Sequence, residues 1–218
     1  MRMPPFLVGI AGGSGAGKTA LARELVGALG AERTALLALD AYYRDRGRLD
    51  PEARAALDFD VPDALDQELF RSHLRALRAG QPVTPPRYCF VTHRRLGPGE
   101  PVEPREIVLV EGVLLLHDPE VRAVLDLRIY VDAPDGLRVA RRIARDTAER
   151  GRTPESVIAQ CRATVLPAHA RYVEPTRAWA DLVLLNAGRL AAAVEVAAAI
   201  VRGRLEQRRR PAAEAPAA

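Results

Sequence analysis

Short, continuous apolar runs alternate with stretches of helical periodicity along most of the chain. "FLVGIAG" reads as a buried strand, followed by a helix from about Lys18 to Leu29. "TALLALD" is a second strand ending at Asp40, and "IVLVEGVLLL" holds a third ending near Glu111. "DLRIYVDA" is a fourth ending at Asp132, and "DLVLLN" a fifth ending near Asn186. "PEVRAVL" and "DGLRVARRIARDTAERG" are helices between them, and "RLAAAVEVAAAIVRGRLEQ" is a long Ala-rich one. Continuous apolar strands alternating with helices predict a parallel sheet covered on both faces. Such sheets bind ligands at the carboxyl ends of their strands, which directs attention to Asp40, Glu111 and Asp132.

Two segments break the rhythm. From Pro82 to Pro104, prolines bracket "RYCFVTHRR" and "GPGEP" makes a turn, which predicts a β-hairpin or extended flap inserted before the third strand. After the second strand, "YYRDRGRLDPEARAALDFDVPDALD" is polar and acidic and reads as a loop with one short helix.

The length of 218 residues fits one domain with a small insertion. The formal charge of +4 is small, and the basic residues cluster in "RVARRIARDTAERGR" and "RGRLEQRRR". Neither cluster carries a nucleic-acid motif or interleaved aromatics, so no nucleic-acid partner is expected. The second cluster ends a solvated helix, and "PAAEAPAA" reads as a disordered tail. No apolar run reaches membrane-span length, and the N-terminal run is too brief for a signal peptide. Cys89 and Cys161 lack metal-ligand spacing; a structural disulfide is one reading and two cytosolic thiols the simpler one, so a cytoplasmic protein with no membrane partner is expected.

The sharpest chemical signal is Gly12-Gly13-Ser14-Gly15-Ala16-Gly17-Lys18-Thr19, which fits G-x-x-x-x-G-K-[ST] between an apolar strand and a helix. Glycines let backbone N–H groups converge on phosphate oxygens, and the helix N-terminus adds its dipole. Lys18 can reach the β/γ-phosphates and Thr19 can hold Mg²⁺. A GTP switch needs N-K-x-D, and the single asparagine, Asn186, is followed by Ala. A small-molecule kinase needs an acceptor-orienting carboxylate, cations on the transferring phosphoryl and an acceptor pocket. Asp40 is the candidate carboxylate, with a helix N-cap as its other reading. Glu111 closes "IVLVE" as a Mg²⁺ carboxylate acting through water, or as a solvated strand end. Arg138, Arg142 and Arg145 share a helical face, and Arg150 and Arg152 flank Gly151. They read as a mobile lid closing on phosphates, or as a surface helix paired with Asp146 and Glu149.

The ordered series "GIAGGSGAGKT", "LDAYYRD", "FDVPDALD", "PPRYCFVTHRR", "VLVEGVLLL", "IYVDAPDGLRVARRIARDTAERGR", "VIAQCRATVLPAH" and "VEPTRAWADLVL" resembles the uridine kinase (uridine–cytidine kinase) family from about Phe6 to Ala187. The resemblance implies an α/β P-loop kinase fold: five parallel strands in the order 2-3-1-4-5, helices on both faces, a hairpin insertion over about 82–104 and an Arg-bearing helical lid over about 134–160. Residues 1–208 form this single domain and 209–218 the tail. It implies phosphorylation of the 5′-hydroxyl of uridine, and of cytidine, with ATP or GTP as donor and Mg²⁺ as cofactor, in a homo-oligomer, commonly a tetramer. By resemblance Asp40 is the catalytic carboxylate and Tyr43 packs near the nucleoside. Asp60 binds the ribose hydroxyls, as a carboxylate can accept two hydrogen bonds from a diol. Tyr88, Phe90 and His93 contact the base; Arg142 and Gln160 are nucleoside ligands; Arg145 and Arg150 face the phosphates; Arg152 lies beside the base.

Three positions depart from that pattern. Val61 stands where the family has His, Cys89 where it has Asp, and "LLNAGR" where it has a Pro-x-Gly-Gly segment. The first two bear on nucleoside selectivity and the third on donor-base preference. The alternatives are another small-molecule kinase, phosphoribulokinase-like or acting on a different nucleoside, and a non-catalytic nucleotide-binding regulator.

Overall fold

A computed structural model describes residues 3–49 and 58–209. Part of the polar segment for which a short helix is expected, and the tail beyond Arg209, lie outside the described residues.

Five strands form one parallel sheet. They are β1 (Phe6–Gly12), β2 (Thr34–Ala38), β5 (Ile107–Glu111), β6 (Leu127–Asp132) and β7 (Leu182–Leu185), in the order β2-β5-β1-β6-β7. Once the hairpin strands are set aside, this is the expected order 2-3-1-4-5. β1 is central and all seven of its residues are buried. Leu7 and Ala11 face one side of the sheet, while Phe6, Val8 and Ile10 face the other. Burial on both faces demands apolar residues at every position, which is why this strand reads as a run and not as an alternation.

Helices α1 (Lys18–Leu29) and α6 (Leu190–Arg209) cover one face, with Leu21 and Leu25 meeting Ala197 and Val201. The small residues Ala193, Ala197 and Ala198 let α6 lie close to α1 and the sheet. The other face is covered by α2 (Gln67–Arg78), a helix that the strand–helix pattern above does not include. Its apolar stripe, Phe70, Leu74 and Leu77, is fully helical in spacing. The Asp66 side chain caps it, accepting from the Leu69 amide at 3.3 Å.

The second strand stops earlier than expected. β2 pairs with β5 alone, from Thr34 opposite Ile107 to Ala38 opposite Glu111. β5 ends at Glu111, so the chain beyond Ala38 has no ladder partner and coils into a 3₁₀ turn, Leu39–Tyr42. Asp40 therefore projects from a turn and not from a strand tip. The inserted segment holds an antiparallel hairpin, β3 (Pro86–Cys89) and β4 (Arg94–Pro98), with Val83 bridging Val102 at its base. α3 (Pro119–Val124) precedes β6, and the basic helix α4 (Asp135–Arg150) follows it. After Gly151, α5 (Pro154–Gln160) runs on through π-helical turns at Cys161–Val165 and His169–Val173. Cys89 and Cys161 are free thiols.

Leu25 is fully buried between α1 and the sheet. Leu25→Ala is expected to lower the unfolding free energy by about 3 kcal/mol, from lost transfer energy plus the cavity. Urea denaturation checks this; a loss below about 1 kcal/mol would mean that the helix re-seats against the strands.

Candidate active site

The carboxyl ends of the strands open onto a cavity of about 700 Å³. Its walls come from the glycine loop, the Asp40 turn, the hairpin, the end of β5, and the helices α4 and α5.

The loop after β1 keeps its shape because side chains are excluded from it. Gly12 and Gly15 have φ of +138° and +77°, and a Cβ on either would fall within 2.2 Å and 2.1 Å of the backbone oxygens of Val131 and Arg138. Behind the loop, Asn186 is buried and its Nδ2 donates to the Ala16 carbonyl at 2.8 Å. Arg141 reaches the Asn186 carbonyl at 3.2 Å. Lys18 is buried, with Nζ donating to the Gly13 carbonyl at 3.0 Å. Burial pulls the Lys18 pKa down, while the charges of Glu111 and Asp40 push it back up.

Thr19 Oγ1 donates to Glu111 Oε1 at 2.9 Å. Burial, and then the charge of Asp40, raise the pKa of Glu111. Among the described residues no group of three or more His, Cys, Asp or Glu is placed to hold a metal. One hydroxyl and one carboxylate suit a hard cation that keeps most of its waters and takes its other ligands from phosphates, which is the habit of Mg²⁺.

α4 buries an unusual stripe: Arg138, Arg142 and Asp146. Arg142 is the junction of the site. It donates to Ser14 Oγ on the glycine loop at 2.8 Å and to Gln160 Oε1 on α5 at 3.1 Å, and lies 3.7 Å from Asp60 Oδ2. Burial raises the Asp60 pKa and Arg142 opposes that shift. Asp146 has no exposed surface and gathers four guanidinium groups: Arg145 at 2.8 Å, Arg150 at 3.4 Å, Arg142 at 3.5 Å and Arg152 at 3.8 Å. Arg152 also bonds to Gln160 Oε1. Arg138 stands apart from its helical neighbours. It pairs with Asp135 at 2.6 Å, presses on the glycine loop from behind and does not line the cavity.

The far end of the cavity is aromatic. His93 stacks on Phe59 with centroids 4.3 Å apart, and its Nδ1 lies 3.2 Å from Tyr88 Oη. Tyr43 packs on Tyr88 at 5.4 Å, and Arg150 sits over the Phe90 ring at 4.4 Å. His93 closes the four-residue hairpin turn with φ of +54°, a conformation in which His is among the tolerated residues. Asp40 lies between the two ends electrostatically: its charge acts on Lys18 and Glu111 on one side and on Tyr43 and Asp60 on the other.

Ser14, Lys18, Thr19, Asp40, Tyr43, Asp60, Tyr88, Phe90, His93, Glu111, Arg142, Arg145, Arg150, Arg152 and Gln160 all line this one cavity. Each of them stands in a motif that the sequence singles out. Phe59 lines the cavity too, and an aromatic residue beside Asp60 is its only signal in the sequence. Asp146 figures in the sequence only as a partner in the surface-helix alternative, and its spacing of four from both Arg142 and Arg150 is the clue that it is a hub. Asn186 gave no signal, since its partner lies 170 residues away. Val61 and Cys89 do not line the cavity.

A glycine loop at the carboxyl end of the central strand, running into a helix and facing a second, arginine-rich helix, is the arrangement by which P-loop kinases carry out ATP-dependent phosphoryl transfer, and this chain is one of them. It belongs to the phosphoribulokinase / uridine kinase family, whose pattern it matches over residues 7–191. A uridine kinase from Chloroflexus aggregans is 43% identical over 206 residues, 94% of this chain and 99% of the relative. One from Deinococcus deserti is 41% identical over 198 residues, 91% of this chain and 96% of that one. Among solved structures, phosphoribulokinase from Rhodobacter spheroides superposes with a TM-score of 0.61 at 16% identity, covering 84% of this chain and 71% of its own, a likeness of fold alone. Among the described residues no helix is long and apolar enough to cross a membrane.

His169 packs against the loop at Gly13, and burial followed by the Arg138 charge lowers its pKa from 6.5 to about 4, with Asp135 opposing. Between those two values the unfolded chain binds a proton that the folded chain refuses, so stability falls as pH falls. His169→Gln is expected to flatten that loss. Unfolding midpoints at pH 7 and pH 5 test it; equal losses in both proteins would assign the proton uptake elsewhere.

Proposed function

We propose that this chain transfers the γ-phosphoryl group of ATP or GTP to the 5′-hydroxyl of uridine, and of cytidine, giving the nucleoside monophosphate. The observation that carries the reading is a single cavity with a phosphate loop at one end and a ring cluster (Tyr43, Phe59, Tyr88, Phe90 and His93) at the other. Flat rings suit a pyrimidine base. An open-chain sugar phosphate would have no use for them, which weighs against a phosphoribulokinase-like acceptor. The relatives named uridine kinase support the same acceptor.

Residue roles follow from the phosphate-loop motif and, for the nucleoside side, from the family resemblance. Backbone amides of Gly12 to Thr19 bind the triphosphate, with Lys18 on the β- and γ-phosphates. Thr19, and Glu111 through water, would hold Mg²⁺, which supplies charge neutralisation on the phosphates when bound. Asp60 takes the ribose hydroxyls, and Arg142 and Gln160 hold the nucleoside from the lid side. Tyr43, Tyr88, Phe90 and His93 frame the base, with Arg152 beside it. Asp40 accepts the hydrogen bond of the attacking 5′-hydroxyl and orients it for in-line displacement. Arg145 and Arg150 stabilise the charge on the transferring group. Movement of 134–160 as a lid excludes water, so the phosphoryl goes to the nucleoside and not to solvent. The free thiols and the nucleoside substrate fit a cytoplasmic salvage enzyme, and the family resemblance implies a homo-oligomer.

Purified protein with MgATP is expected to convert uridine to UMP. A nucleoside panel with ATP and GTP as donors checks the reading; ATP binding with no turnover on any pyrimidine nucleoside would favour the regulatory alternative. Asp40→Asn is expected to lower kcat by about 10²-fold or more while changing uridine affinity little. Equal losses in both would make Asp40 a binding or folding residue.

A further inference from the structure

Arg95 in β4 commits its whole guanidinium to the turn that carries Asp40. Nε donates to the Tyr43 carbonyl at 2.9 Å and Nη2 to the Tyr42 carbonyl at 3.1 Å. Nη1 binds Asp66 Oδ2 at 3.0 Å. Tyr42 ends the 3₁₀ turn Leu39–Tyr42 and Tyr43 is its C-cap, so these carbonyls are the ones a helix end leaves without partners. Asp66 belongs to the same assembly: its amide donates to the Tyr42 carbonyl at 2.9 Å and its other carboxylate oxygen caps α2. The backbones are tied as well. Arg46 N donates to the His93 carbonyl at 2.9 Å, and Arg95 N to Asp45 Oδ2 at 3.3 Å. Across the hairpin, Arg95 sits in register with Tyr88. Arg95 itself does not line the cavity.

We infer that Arg95 is a positioning residue that couples the acceptor hairpin to Asp40. The hairpin presents Tyr88, Phe90 and His93, and Arg95 fixes the turn that presents Asp40 relative to them. The site of base recognition thereby sets the place of the carboxylate that orients the hydroxyl. The chemistry needs a planar, charged fork: three donors in fixed directions meet two carbonyls and a carboxylate, which an ammonium cannot reproduce. Small misplacement of an orienting group is costly in rate, so the effect appears in kcat. This inference rests on the proposed nucleoside-kinase reading.

The test compares wild type, Arg95→Ala and Arg95→Lys. Arg95→Ala is expected to lose about 10²-fold in kcat on uridine with the KM for MgATP within about twofold. Millimolar guanidinium chloride is expected to restore several-fold of that kcat, and methylammonium chloride none of it. Guanidinium weakens folded proteins in general, so rescue is not an outcome that a purely structural role would give. Arg95→Lys keeps the ion pair with Asp66, covers the case of an alanine variant that fails to fold, and is expected to lose about tenfold in kcat. Wild-type kcat in the lysine variant, or absence of guanidinium rescue in a folded alanine variant, overturns the inference. Hydrogen exchange supplies a readout independent of substrate: the amides of residues 39–46 should exchange faster in either variant, with α1 unchanged. If wild type phosphorylates no pyrimidine nucleoside, the functional reading falls, and the exchange result alone decides whether Arg95 holds the Asp40 turn; unchanged exchange there sinks the inference.

Discussion

A helix that buries Arg138, Arg142 and Asp146 along one face cannot be held in place by the hydrophobic effect. Each of these charges is tolerable only because an opposite or polar group meets it, and removing one partner of such a buried set costs about 3–5 kcal/mol. That requirement prescribes the direction of these side chains as well as their depth. Arg138 must reach Asp135 beneath the glycine loop, Arg142 must reach Ser14 and Gln160, and Asp146 must sit where four guanidinium groups converge. The glycine loop, α4 and the cavity wall contributed by α5 take their relative positions from this arrangement.

The two ends of the cavity are built by different physics. At the donor end, backbone geometry dominates: glycines at positive φ, a buried strand beneath them, and Asn186 holding the loop from behind. At the far end, rings dominate, and Phe59, His93, Tyr88 and Tyr43 pack on one another around the hairpin turn. Burial at the junction raises the pKa values of Asp60 and Glu111 and lowers that of Lys18, each toward its neutral form. A polyanionic donor meeting Lys18, Arg145 and Arg150 would enter a site already arranged for its charge.

Most of the fold was legible because its signals are local. The runs around Val8, Leu109 and Tyr130 could only be strands buried on both faces, and the loop from Gly12 to Thr19 announces itself by composition. α2 escaped because its apolar stripe is diluted by arginines and a histidine, and only the uncovered sheet face shows what Phe70, Leu74 and Leu77 are for. The end of β2 was misplaced by two residues because a strand ends where its partner ends, and β5 lies about 70 residues away in the chain. The residues that line the cavity were legible one by one. That Phe59 would stack on His93 and that Asp146 would be a buried hub were not.

The amino-acid sequence by itself determined the parallel sheet, the phosphate loop and the residue types available at each strand end, because periodicity, glycine spacing and side-chain chemistry act over a few residues. Only the tertiary structure decided which of the arginines face the cavity and which supports the loop, and that Asn186 and Arg95 would serve as ties. Those outcomes depend on contacts between elements 45 to 170 residues apart, and their distances and burial are set by packing that no local pattern encodes.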